Sequence, residues 1–226
     1  GRVGVSFASG WQPNDFVLAP AAFATRKTDM LSSIEVVRRL WRGEMVEFPG
    51  PHGKPVEIKT LPRPIQKELP IWLTAAGNPE TFEQAGQMGC HLLTHLLGQS
   101  MADVTDKLRL YRAAWKKAGH EGAGHVTLML HTFVGKDEDS VRETVRGPMK
   151  EYLRSSVDLI KQAAWSFPTF VQRGAANGLS PVEIMDAEPL SAEDMDALLD
   201  HAFTRYYGTS ALFGTPERCL DLVGQL

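Results

Sequence analysis

The chain has 226 residues, 43% of them hydrophobic and 23% charged, with no long polar or low-complexity tract. That is the composition of an ordinary globular unit long enough to bury a sizeable core. A net charge of -3 and a pI near 6.2 leave no basic stripe for a nucleic acid, and no apolar run approaches the roughly 20 residues that span a bilayer.

Two distant cysteines, Cys90 and Cys219, suggest no disulfide framework, so a reducing cytoplasmic setting is expected. No signal peptide is visible. The chain opens at Gly1 inside what reads as a strand, and a preceding segment is therefore expected.

The first segment, Arg2 to Gly10, alternates bulky and small residues: Val3, Val5 and Phe7 on one face, Gly4, Ser6 and Ala8 on the other. A strand with one bulky and one nearly bare face suits a barrel, packing helices outside and leaving room inside. A turn-rich loop, Trp11 to Phe16, follows it. From Thr28 to Trp41, Leu31, Ile34, Val37, Leu40 and Trp41 recur at helical spacing, and Gly43 ends the run. Residues 44–70 hold six prolines and read as an irregular excursion with at most short strands.

Pro70 to Gly77 is a short buried strand ending in small residues, and Asn78-Pro79-Glu80-Thr81 opens a helix reaching Met88. Leu92 to Leu97 is another strand. Ser100 to Asp103 resembles a capping box, opening a helix that carries Val104, Leu108, Tyr111 and Trp115 and stops at Gly119. Val126 to Val134 reads as one further strand, followed by a charged helix from near Asp139. Residues 147–208 read as a mainly helical insertion with breaks at Pro168, Gly174 and Pro181. Thr215 caps a last helix with Pro216 at its first position. The alternation predicts an α/β class with a parallel sheet. Four strands are too few to close a (β/α)8 barrel, so the chain reads as a partial barrel, 1–226.

The junction Thr74 to Thr81 carries the chemistry. Gly77 permits a tight turn, Asn78 caps, and Pro79 takes the first helical position. Free amides at the helix start, together with its positive dipole end, make an anion seat to which Thr81 could add a hydroxyl. The plainer alternative is a well-capped helix with no ligand, Glu80 satisfying the dipole.

Among the histidines, His95 and His131 fall at or within predicted strands, where barrel active sites gather. An imidazole there suits acid–base work or a hydrogen bond to cofactor or substrate; a hydrogen-bonded core histidine is the alternative. His91 and His95 share a face, but no acidic partner stands at ligand spacing, and no metal is expected. Trp11, Trp72 and Trp115 could line a pocket or simply pack a core.

Taken together, several pieces resemble the bacterial-luciferase-like flavin-dependent monooxygenases. They are Gly1 to Phe16, Leu40-Trp41-Arg42-Gly43, Pro70 to Phe82, Leu93-Thr94-His95-Leu96-Leu97-Gly98-Gln99, and Gly214-Thr215-Pro216-Glu217, in family order. The Ala75 to Thr81 and Thr94 to Gln99 wording is most similar to the subgroup found in natural-product assembly. The resemblance implies a (β/α)8 barrel, here about strands four to seven, that holds reduced FMN at the strands' C-terminal ends. It implies use of O2 to oxygenate a small-molecule or carrier-tethered substrate, a flavin reductase as partner, and leaves a homo-oligomer open. By that resemblance Gly77, Asn78 and Thr81 seat the flavin phosphate, Ala8 and Ser9 lie near the flavin, and His95 faces flavin or substrate. Bacterial luciferase has arginine where Ser9 stands, and its catalytic histidine lies in an early part this chain lacks. The rivals are a deazaflavin-dependent oxidoreductase of the same fold, a non-catalytic flavin-binding barrel fragment, and a metal hydrolase on a similar barrel.

Overall fold

The computed structural model describes residues 2–10, 13–155 and 191–226. They form two compact units, Gly1–Thr94 with Lys107–Thr127 and His95–Asp106 with Leu128–Leu226. The expected breaks at Pro168, Gly174 and Pro181 lie outside the described residues.

A four-stranded sheet runs in the order β1 (Val5–Phe7), β4 (Ile71–Thr74), β5 (His91–His95) and β6 (Val126–Met129). β1 pairs β4 and β4 pairs β5 in parallel, with Ser6 opposite Trp72 and Trp72 opposite His91. The two-faced pattern read for β1 holds. Val5, Phe7, Ile71, Leu73 and Leu92 join the core of the first unit with Ile34, Phe82, Ala85, Tyr111 and Trp115. The other face carries Gly4, Ser6, Trp72, Thr74 and His91. A side chain at Gly4 would collide with the Trp72 ring; that ring also stands edge-on to His91 at 4.7 Å and donates through Nε1 to Thr127 at 3.1 Å.

Helix α1 (Ala22–Arg42) starts earlier than its apolar spacing predicts, because Ala22, Phe23 and Ala24 extend it without a side-chain cap. It stops at Gly43, whose φ of 84° supplies the left-handed turn that glycine accepts without strain. The proline-rich excursion holds an antiparallel hairpin, β2 (Val46–Pro49) with β3 (Pro55–Ile58). Gln66 then anchors the start of β1, its side chain accepting from the amides of Arg2 and Val3 and donating to the Val3 carbonyl. Helices α2 (Pro79–Gln87) and α3 (Met101–Lys117) follow β4 and β5. The capping box before α3 is reciprocal: the Asp103 amide donates to Ser100 Oγ, and the Ser100 amide to Asp103.

The single strand expected over Val126 to Val134 is two strands. β6 stays in the main sheet, while β7 (Thr132–Val134) pairs in parallel with β8 (Leu212–Gly214), which the sequence reading did not anticipate. The chain changes sheets at Leu130 and His131, where the Leu212 amide donates to the His131 carbonyl at 2.9 Å. A strand of three residues between Ser210 and Thr215 is too short for periodicity to show.

In the second unit, α4 (Glu138–Ser155) and α5 (Ala192–Thr209) pack through Val141, Val145, Met149 and Leu153 against Leu198, Leu199, Phe203 and Tyr206. α6 (Pro216–Gly224) is capped by Thr215 as its sequence predicts. Among the described residues no helix is long and apolar enough to cross a membrane.

Candidate functional site

In a parallel sheet the loops at the C-terminal strand ends collect the functional groups, and in the first unit these are the ends of β1 and β4. Ala8 is exposed and Ser9 half-buried. Ser9 Oγ makes only a long contact, 3.4 Å, to the Gly10 carbonyl. Arg26, from the first turns of α1, donates to that same carbonyl at 3.3 Å and to Phe23 O at 2.6 Å. A guanidinium therefore reaches the β1 end although Ser9 carries no charge.

At the β4–α2 junction the cap is as expected, and it changes the count of available amides. Asn78 Oδ1 accepts from the Glu80 amide at 3.0 Å, the Asn78 carbonyl accepts from Thr81 at 3.2 Å, and Pro79 has no N–H. Two of the amides expected to be free are thus used within the turn; the positive helix end remains. Gly77 is exposed, and a Cβ added there would meet nothing within 4 Å.

The unexpected contributor is Lys107 of α3, whose ammonium donates to the Ala76 carbonyl at 3.3 Å and lies 5.9 Å from the Phe82 ring centre. No local motif marks it, since it stands 31 residues from Ala76. The turn of α3 that brings it back to β4 is the only signal that could have found it. The positive end of α2 and the Lys107 ammonium thus lie beside the open turn at Gly77, with Thr81 in the first turn of the helix.

In the second unit His95, the last residue of β5, is half-buried. Its Nδ1 accepts the Leu97 amide at 3.1 Å, and its carbonyl receives the Gln99 side-chain amide. Burial pushes its pKa below the usual 6.5, and a charge on His131 would lower it further. Gln99 also lines an open recess of about 620 Å3 between the β5–α3 turn and the end of α5, where Arg205, Thr209 and Ser210 close it. That volume is within the range of small-molecule pockets. His131 is half-buried, its Nδ1 2.7 Å from the Tyr206 hydroxyl and its ring edge-on to Tyr152 at 4.9 Å. Burial lowers its pKa and raises that of Tyr206.

The profile of the family described as luciferase-like monooxygenase matches residues 1–226. This chain belongs to the luciferase-like monooxygenase family. Its fold is accordingly of the TIM-barrel type, though the described strands do not close a barrel. The monooxygenase RslO1 from Streptomyces bottropensis superposes with a TM-score of 0.67 at 20% identity, covering 100% of this chain and 57% of that one. The oxygenating constituent of 3,6-diketocamphane monooxygenase from Pseudomonas putida, solved with FMN, gives 0.62 at 14% identity over 96% of this chain and 58% of that one. An F420-dependent glucose-6-phosphate dehydrogenase of Amycolatopsis mediterranei is 31% identical over 111 residues, 48% of this chain and 32% of the enzyme. The chain thus spans less than two thirds of the length of each of these relatives.

Two further histidines of this luciferase-like chain serve its framework. His91 Nδ1 accepts the His125 amide at 3.2 Å, and a ring nitrogen of His120 meets the Gln87 carbonyl at 2.9 Å. Among the described residues no group of three or more His, Cys, Asp or Glu is arranged to hold a metal ion. Cys90 is buried, its sulfur contacted by Arg38, and burial raises its thiol pKa, the setting of an unreactive packing residue.

Proposed function

We propose that the protein is an FMN-dependent monooxygenase that oxygenates an organic substrate, small or carrier-tethered, in natural-product biosynthesis. The observation that supports it most is the β4–α2 junction, where the end of α2 and Lys107, bonded to the Ala76 carbonyl, flank an open Gly77, with Thr81 in the helix's first turn. These residues fit a flavin phosphate. Asn78 holds the turn, Thr81 offers its hydroxyl, Lys107 neutralises charge, and Ala8 and Ser9 border the flavin from β1. Reduced FMN, when bound, supplies the electrons for oxygen chemistry, and a separate flavin reductase furnishes it. His95, its Nδ1 fixed by Leu97, positions the substrate.

FMN titration of the full-length protein tests this reading. Lys107→Met should weaken binding about tenfold or more, the worth of a charge-assisted hydrogen bond, and reduced FMN with O2 should yield oxygenated product. FMN binding without any product would leave a flavin-binding barrel that does not catalyse. The match to an F420-dependent enzyme favours a second reading, deazaflavin-dependent hydride transfer. Tighter binding of F420 than FMN, with no oxygen consumption, would replace the first reading with it.

A further inference from the structure

The open recess of the second unit lies outside the residues assigned to the flavin. Gln99, Ser100, Met101 and Asp103 line it from the β5–α3 side, and Arg205 and Ser210 from the end of α5. Most of its polar side chains are spent on neighbours. Gln99 Nε2 donates to the His95 carbonyl. Ser100 Oγ donates to Asp103 at 2.7 Å and accepts the Asp103 amide, so the start of α3 is closed by its own cap. Thr209 Oγ1 donates to the Arg205 carbonyl at 2.9 Å. In its 3.1 Å contact with Ser210 the serine is therefore the donor.

Arg205 is the exception. Its guanidinium has no hydrogen bond or ion pair among the described residues. The other described arginines of that unit are all held: Arg142 by Thr204, Arg146 by Asp200, Arg154 by Glu151 and Arg218 by the Phe213 carbonyl. A planar fork of N–H donors, unpaired on the wall of a recess, matches a carboxylate, which it grips through two parallel bonds.

The other walls narrow the ligand further. The Asp103 carboxylate shares the recess, so a second negative charge on a ligand meets repulsion and a phosphate dianion is disfavoured. Ser210 Oγ, its proton given to Thr209, keeps lone pairs that accept from a hydroxyl or amino group. Met101 is half-buried and supplies an adaptable apolar wall. A volume of about 620 Å3 leaves room for an aromatic or branched acyl body.

We infer that this recess binds a small organic monoacid, its carboxylate on Arg205, a hydroxyl or amino donor turned to Ser210 and its apolar body against Met101. The binding site stands without the flavin; its role as the holder of the substrate's acid end rests on the oxygenation reading.

The experiment uses flavin-free full-length protein and 4-hydroxyphenylacetate as the probe. The Nε–H signal of Arg205, identified by its loss in Arg205→Gln, should shift saturably as the probe is added. Arg205→Gln should weaken probe binding about tenfold, the worth of a charge-assisted hydrogen bond. Arg205→Lys should recover only part of that loss, because an ammonium keeps the charge without the fork. Arg205 is exposed, so both variants should melt as the unaltered protein does. The uncharged 4-hydroxyphenylacetamide should bind as weakly as the acid binds to Arg205→Gln, and inorganic phosphate should not compete. Equal binding of acid and amide, or acid binding that Arg205→Gln leaves intact, overturns the inference; competition by phosphate as strong as by the acid overturns the choice of a monoacid. FMN affinity should be the same in Arg205→Gln. Failure of FMN to bind while the acid results hold overturns the flavin reading and not the recess, whereas FMN binding without acid binding does the reverse.

Discussion

The β4–α2 junction and the His131 contact both lie where the chain leaves a strand, but they differ in how far apart their parts lie in the chain. At the junction, Gly77, Asn78, Pro79 and Thr81 are nearly consecutive and build the turn from neighbouring backbone and side chains, and only Lys107 comes from elsewhere. At His131 the deciding partner, Tyr206, is 75 residues away, on a helix that a sheet change brings back. Local chemistry at a turn depends on neighbours in sequence, whereas the tautomer of a histidine depends on the fold around it. The first kind of site can be altered by changing one turn; the second fails when any supporting element shifts.

The largest expected effect is on the scaffold behind the junction. Phe82 is completely buried in the first unit's core, so Phe82→Ala should cost about 3–5 kcal/mol in denaturant unfolding and carry FMN binding away with it. Retention of both would show that the junction does not depend on that core. Tyr206→Phe comes next. It strips a buried hydrogen bond and should cost about 1 kcal/mol, seen as a lower melting temperature. Asn78→Ala removes a helix cap and should cost about 0.5–2 kcal/mol, whereas Asn78→Ser should recover most of that loss. Equal losses for both variants would separate Asn78 from capping.

How much could be read from residues alone follows the same division. The two-faced β1, the Asn78, Ser100 and Thr215 caps and the Gly43 stop were legible because each is a local rule of backbone geometry. The apolar run Val126 to Val134 was not, since a strand that changes sheets at His131 has the same composition as one that does not. β8 and Lys107 were also missed, because their roles are set by long-range pairing and by one turn of α3. The shared amides of the Asn78 cap were legible only in part, as the cap was expected but its use of the Glu80 and Thr81 amides was not counted.

A smaller effect concerns pH. Burial lowers the pKa values of His91, His95 and His131, so the unfolded chain binds protons on these groups before the folded one does. Their contribution to stability is present above about pH 6.5, the ordinary histidine value, and is lost as pH falls below it through the folded values. Melting temperature should therefore drop on going from pH 7.5 to about pH 5, and the drop should be shallower in His131→Gln. The smallest effect on stability is Gly77→Ala, which meets no neighbour and should change unfolding by less than about 0.5 kcal/mol while weakening FMN binding by filling the open turn.

FMN titration of the full-length protein, unaltered and with Thr81→Val combined with Lys107→Met, tests the central claim most directly, because it removes the two side-chain donors at the junction and keeps its cap. Saturable binding by the unaltered protein, lost or weakened at least about tenfold in the double variant with unfolding unchanged, is the result this account predicts. Equal FMN affinity in both proteins would contradict it and place the phosphate elsewhere.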